Sequence, residues 1–433
     1  MSLAAHRIAL FILAGSVLPG AACAQSFLQA MSQAWTASPD LRERRAAQFE
    51  LNENVNQAQA GWRPTVSVSA GSGRNDSRAR LQQGDAFNQQ ANPTSVRVSA
   101  SQPIWNGSVG PRVDAAEARV RQGDATSLQV EQAVLLDAAR AYVGVLQARE
   151  LLRLNETNEA TLAQQVTYRQ ELFRRALGTR TELAQAEARQ ATARAELARA
   201  RNDLATSERE FARLIGAIPG ELTLPTSLPP IPARLDALVE LAERDAPAVR
   251  SARHALDAAG YDVEAARGAA LPAVSVDASY SRVKEPSAAY RNQQDMSVQL
   301  TLSVPIYQGG ALQAATRASE QRGVQALAQL DRARLAARQN AVVAWNGLQS
   351  AQADAEAFAR AVAANEIAYE GMRAQFERLG ELTLLDVLDM QRELFNTQVS
   401  LVRAQAQRVL SHLEVLAAQG ELTARGLGLR PAG

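Results

Sequence analysis

The chain repeats itself, and the repeat restricts what it can fold into more than any other feature. Pro103-Ile104-Trp105-Asn106-Gly107 returns as Pro305-Ile306-Tyr307-Gln308-Gly309, at an offset of 202 residues. Ala176-Leu177-Gly178-Thr179-Arg180-Thr181 is matched by Arg378-Leu379-Gly380-Glu381-Leu382-Thr383, again at an offset of 202. Such self-similarity means two copies of one structural plan. The residues after each Leu-Gly agree as well. Ala186, Ala193, Ala200, Ser207 and Leu214 step by seven, as do Leu388, Phe395, Val402, Val409 and Leu416. A second stripe runs Leu183, Gln190, Leu197, Leu204, Phe211 against Leu385, Arg392, Val399, Ala406, Leu413. A period of seven is the mark of helices packed along a common seam. The alanines permit close approach; Gln190 and Arg392 interrupt the seam.

Each repeat has the same order. A helix of about 35 residues is expected first, over 26–62 and 234–268, and Pro64 and Pro272 stop it because proline lacks the amide donor and crowds the preceding turn. Alternating runs follow at Thr65–Ala70, Ser95–Ala100, Ala273–Tyr280 and Met296–Val304. Period two with branched apolar residues on one side predicts strands. Their other side is Ser, Thr, Asp, Gln and Arg, which suits a wet lumen opposite a lipid-facing surface; alternation alone fits a soluble sandwich equally. Trp62, Trp105 and Tyr307 stand at the ends of the runs, where a membrane–water interface would hold them. Ser72–Pro93 and Val283–Gln294 read as exposed loops.

After the second strand of each pair comes a very long helical stretch, Val109–Leu177 and Leu312–Leu379. About 68 residues at the helical rise would span roughly 100 Å, far beyond a globular helix. Gly144, Gly323 and Gly347 are candidate bends within it. Gly178 and Gly380 are expected to supply the left-handed cap, and Thr181 and Thr383 to cap the returning helices. A linker from Pro219 to Pro232 holds five prolines and separates the repeats.

The start of the chain reads as a secretory leader: His6 and Arg7, an apolar run from Ile8 to Val17, then Ala22-Cys23-Ala24 before Gln25. A lipidated Cys23 is the rival reading. Cys23 is the only cysteine, so a chain cleaved after Ala24 would have no disulfide, thiolate chemistry or cysteine metal site. His254 and His412 are the remaining histidines and read as helix-surface or packing residues. A formal net charge of +1 gives no reason to expect nucleic acid as a partner. No nucleophile–base–acid set, phosphate loop or metal cluster is present, so no enzyme and no cofactor are expected.

Two copies of helix, strand pair, long helix, Gly tip and return helix, behind a leader, resemble the TolC family of outer-membrane factors. The resemblance covers essentially the whole chain after the leader. Its most specific stretch is Leu379-Gly380-Glu381-Leu382-Thr383-Leu384-Leu385-Asp386-Val387-Leu388-Asp389. It implies an internally duplicated α+β membrane protein and a homotrimer. Each subunit would give four strands to one 12-stranded outer-membrane β-barrel, continued by a long periplasmic α-helical coiled-coil barrel. The corresponding division is 1–24 leader, 25–216 first repeat, 217–233 linker, 234–420 second repeat and 421–433 tail. Strand pairs are expected at about 64–104 and 272–306, and tips at 177–181 and 379–383.

The resemblance further implies passive conduction through outer membrane and periplasm, with a periplasmic adaptor and an inner-membrane RND or ABC transporter as partners and outer-membrane lipid around the barrel. Asp386 and Asp389 match the acidic pair that charges the family's pore entrance; by spacing alone they are three apart on one helix face, as on any solvated helix. Where family members carry an arginine in the second tip, this chain has Leu382, while Arg180 stands in the first. Ala184 and Glu187 occupy the first-repeat places of Asp386 and Asp389. Arg180 and Glu187 are therefore candidate members of a closed-state latch. Leu177, Gly178, Thr179, Leu379 and Gly380 are the candidate adaptor-docking tips. A periplasmic adaptor or a structural coiled-coil protein is the alternative.

Overall fold

The computed structural model describes residues 26–80, 86–225, 227–287, 290–379 and 384–429. The leader, Cys23, Gly380, Leu382 and Thr383 lie outside these residues.

Eight helices and six strands are described. The first expected helix is two: α1 (Phe27–Ala37) and α2 (Pro39–Gln59), followed by a tight turn at Ala60–Trp62. Its second-repeat counterpart is also two, α5 (Leu235–Asp245) and α6 (Pro247–Gly268). Each break falls at a proline in the first position of the new helix, where a missing amide costs nothing but the preceding residue is driven out of helical geometry. Ser38 caps α2 through the Leu41 amide at 3.4 Å. Pro247 follows Pro39 by 208 residues, not 202. The six extra residues of the first repeat lie in its strand hairpin.

That hairpin is longer than expected. β1 (Thr65–Ser72) and β4 (Thr94–Asn106) enclose a second hairpin, β2 (Asn75–Arg80) and β3 (Ala86–Ala91), where a loop was expected. In the second repeat β5 (Ala273–Ser287) and β6 (Tyr290–Ser303) run through most of the expected loop, with Lys284 facing Asn292. Polar composition marked these segments as exposed; antiparallel pairing holds them all the same, because backbone groups satisfy one another whatever the side chains.

Four strands form one antiparallel sheet in the order β1-β4-β5-β6, so the two repeats join through β4 and β5. The helices follow the same order. α3 (Val109–Arg174) packs against α2 on one side and α6 on the other, and α6 packs against α7 (Ala311–Leu379). Where the junctions cross, a Cβ on Gly268 would overlap the Gly107 carbonyl, so only glycine fits.

α3 has 66 residues and α7 has 69, unbroken through Gly144, Gly323 and Gly347. At the helical rise each is about 100 Å long. α4 (Arg180–Ile215) returns along α3, and α8 (Leu384–Ala418) along α7. The seam residues Ala186, Ala193, Ala200, Leu388, Val409 and Leu416 are buried; so is Gln190, whereas Arg392 is exposed. Halfway along lies the main core. Phe27, Met31 and Ala34 of α1 meet Tyr142 of α3, Phe211 of α4 and Leu413 of α8 there. The linker is pinned to this belt. The Tyr142 hydroxyl donates to the Thr223 carbonyl at 2.9 Å, and Arg149 donates to the Gly220 carbonyl at 2.6 Å and the Pro219 carbonyl at 3.1 Å.

Candidate channel wall and entrance

The sheet has two chemically different faces in register. On one stand Val66, Val68 and Ala70 of β1, Val96, Val98 and Ala100 of β4, Val274, Val276, Ala278 and Tyr280 of β5, and Met296, Val298, Leu300 and Leu302 of β6. The β6 series continues beyond the strand in alternation through Val304 and Ile306, and its members are between 49% and 91% exposed. From Met296 to Ile306 an extended chain covers about 33 Å. Tilted as in a barrel, this is a band about 25 Å tall, the height of an outer-membrane lipid belt.

The other face is a hydroxyl and carboxylate lattice. The Asp277 carboxylate accepts from Ser101 at 2.6 Å, Ser275 at 2.8 Å and Thr301 at 2.9 Å. Ser67 meets Ser99 at 2.8 Å, and Ser279 meets Ser297 at 3.0 Å. These groups prefer water or one another to lipid, so this face lines the lumen.

Trp62, Trp105 and Tyr307 are 38%, 43% and 83% exposed at the helix end of the sheet. Strict alternation would turn Trp105 to the lumen. A bulge between Pro103 and Trp105 pairs Trp105 with Val274 instead, and so puts it on the apolar face. Proline is tolerated there because it has no ladder amide to lose. Tyr280 closes the band at the opposite end; its place at the end of an alternating run was the signal for it.

The helix hairpins end far from the sheet. In the first tip the left-handed residue is Ala176, at φ 56°, and not Gly178. The amide of Leu177 reaches the Leu172 carbonyl at 2.9 Å, closing the helix one turn earlier than expected. A Cβ on Gly178 would come 3.3 Å from the Leu172 Cβ, a tight contact that Leu172 would have to ease by a few tenths of an ångström. Thr179, not Thr181, caps α4. Its hydroxyl accepts from the Glu182 amide at 3.2 Å, and the Glu182 carboxylate accepts from the Thr179 amide at 3.2 Å. Leu177 projects at 73% exposure. Leu379 ends α7, and Gly380 lies outside the described residues. Ala176→Gly should stabilise the protein by about 0.5–1 kcal/mol, the left-handed strain relieved less the added freedom of the unfolded chain. A lower denaturant midpoint for this variant would contradict the turn described.

Asp386 is half-buried and Asp389 exposed on the first turns of α8, with Val387 and Leu388 buried between them. Asp389 pairs with Arg189 of α4 at 2.8 Å. Arg180 and Glu187 are exposed, and neither is in an ion pair among the described residues. The cross-repeat contact thus runs through Arg189. Its sequence signal was weak: it lies between Ala186 and Ala193, beside the seam. A second link is Arg169 of α3, which lies over the Phe376 ring of α7 at 5.9 Å and reaches Glu182 at 3.7 Å.

Behind the tip, Glu159 of α3 accepts from Arg194 at 3.0 Å and from the seam residue Gln190 at 3.2 Å. These bonds, that from Arg194 foremost, hold the Glu159 carboxyl below its ordinary value of 4.5. A lowered value means stability that is full above the unfolded pKa and is lost as pH falls through the folded one. Glu159→Gln should therefore make the acid-side decline shallower below about pH 4.5, as read from unfolding midpoints across pH. Parallel curves for the two proteins would remove Glu159 from the account.

A sheet with a lipid-height apolar face, a wet opposite face and hairpins about 100 Å long define a membrane-spanning duct. The sequence model of the family described as "Outer membrane efflux protein" matches residues 30–217 and 238–421, one block in each repeat. The chain is 30% identical over 424 residues to outer membrane efflux protein BepC of Brucella suis, covering 97% of this chain and 91% of that one. It is 25% identical over 419 residues to outer membrane protein TolC of Escherichia coli, covering 93% and 84%. Its fold matches the crystal structure of the outer membrane protein VceC from Vibrio cholerae with a TM-score of 0.77 at 20% identity, covering 91% and 96%. The chain belongs to the outer membrane efflux protein family, the TolC family. It is a channel protein of the bacterial outer membrane, extending into the periplasm.

Proposed function

We propose that three copies of this chain close one 12-stranded barrel and one helical tube. Through it, substrates delivered by an adaptor and an inner-membrane transporter docked at the tips leave the cell passively. The observation that carries this is the pair of open edges. β1 and β6 end the sheet, and α2 and α7 end the helical layer, so both layers stop at the same boundaries. An open sheet edge is not tolerated in lipid. Four alternating strands leave β6 antiparallel to the β1 of a neighbouring copy, so copies join without a mismatch. Exposed apolar residues line the free helix edges, Phe49 on α2 and Val324, Leu335 and Val343 on α7.

Cysteine pairs test the closure, because Cys23 is the only native cysteine. A cysteine at Ser67 of β1 is combined in turn with one at Ser297, Gln299 or Thr301 of β6. Oxidation of at least one pair should give a covalent trimer on non-reducing gels; monomers throughout would end the closed-barrel reading.

Within this reading Asp386 and Asp389 charge the entrance, and Leu177, Gly178 and Thr179, with Leu379 and Gly380, form the docking tips. Arg180 and Glu187 join the closed-state latch only by contacts between subunits. A photo-crosslinker on a cysteine at Thr179 should capture an adaptor in cells. Its companion transporter, RND or ABC, distinguishes small-molecule efflux from protein secretion.

A further inference from the structure

The apolar face of β5 ends at Tyr280, but the strand does not. The next two positions on that face are Arg282 and Lys284, the chain's only lysine. Across β6 they face Gln294 and Asn292, and across β4 they face Val96 and Thr94. With Ser72 of β1 opposite Thr94, the two rows carry two cations, two amides and two hydroxyls. No carboxylate stands on them, and neither cation is in an ion pair among the described residues. Arg282 and Lys284 are both exposed. The rows lie at the hairpin end of the sheet, opposite the periplasmic helices, and so at the outer leaflet.

We propose that Arg282 and Lys284, with Asn292 and Gln294, bind the phosphate groups of an anionic glycolipid of the outer leaflet. Continuity with the lipid-facing band selects the occupant. A lipid whose chains lie against Met296 and Val98 has its headgroup one or two rows higher, at about 7 Å per row pair along the strand. There Arg282 and Lys284 supply charge, and Gln294 and Asn292 supply donors to oxygens the cations leave uncovered. The opposite face at that height is different. Arg97 faces Ser281, and Ser281 donates to Asp295 at 3.5 Å, so the lumen side mixes both signs. The asymmetry between faces is what a surface reading phosphate from the lipid side requires.

The proposal rests on the sheet being lipid-facing, and the test separates the two claims. Wild type, Arg282→Gln/Lys284→Gln and Arg97→Gln are first confirmed as trimers in the outer-membrane fraction. Failure of wild type at that stage counts against the barrel. Binding of lipid A, with its phosphates and after their removal, is then measured on the detergent-purified trimers by native mass spectrometry. Wild type and Arg97→Gln should prefer the phosphorylated form by on the order of tenfold or more, and the double variant should lose that preference. A wild type that binds both forms equally, a double variant that keeps the preference, or an Arg97→Gln that loses it equally would each overturn the proposal.

Discussion

Phe211→Ala should destabilise the subunit by about 3–5 kcal/mol, the usual cost of emptying an aromatic site in a packed core. Phe211 is fully buried, and its ring centroid lies 6.3 Å from that of Tyr142. Tyr142 in turn meets Phe27 edge-on at 5.4 Å. The three rings come from α1, α3 and α4, so the cavity opens where three helices and the linker are held together. The belt is the largest buried apolar cluster among the described residues. Loss there should release the linker, since Tyr142 holds Thr223 through its hydroxyl. Urea midpoints at fixed protein concentration, with Phe211→Leu as a smaller truncation expected to cost less than Phe211→Ala, measure the effect. A tolerated alanine would mean that the belt carries no cooperative weight and that the tubes alone hold the subunit.

Removing Asp389 should do more to the pore than removing one charge. Asp389 is paired with Arg189, so Asp389→Ala leaves a guanidinium where an ion pair stood. Around the three-fold axis of the proposed trimer, that would replace three near-neutral pairs by three cations. At about 8 Å in water each unit charge shifts a permeating ion by about 0.5 kcal/mol, so three shift it by about 1.5 kcal/mol, on the order of tenfold in local cation concentration. Asp389→Ala should therefore move the channel toward anion preference. Arg189→Ala should strengthen cation preference, and the double variant should fall between. Reversal potentials in salt gradients, taken at low ionic strength where screening is weak, read the sign directly. If both single variants shift the potential in the same direction, the pair does not face the conduction path and the entrance charge must be sought elsewhere.

Much of the fold can be read from the residues in order. The alternating runs, the long helical stretches and the tip positions are local patterns, each written in residues near one another and each written twice at an offset of 202. A period of two or seven survives in any context that buries one face, which is why strands and paired helices were legible before any contact was known. The breaks at Pro39 and Pro247 were not read, and one helix was expected over each of 26–62 and 234–268, although proline acts on its immediate neighbours.

The rest depends on which distant segments meet. The order β1-β4-β5-β6 decides which strands are edges, and pairing across the repeats decides it. The face of Trp105 follows from a bulge against β5, about which β4 says nothing by itself. At the tip the left-handed residue is Ala176 and not Gly178, with the Leu177 amide closing on the Leu172 carbonyl, a choice the Leu-Gly pattern does not make by itself. Asp389 is one half of a pair with Arg189, separated by 200 residues and joined only when α4 meets α8. Sequence determined the long helices, the alternating strands and the faces of those runs, because those rest on neighbours along the chain. Tertiary structure decided edges, register and charge pairing, because those rest on neighbours in space.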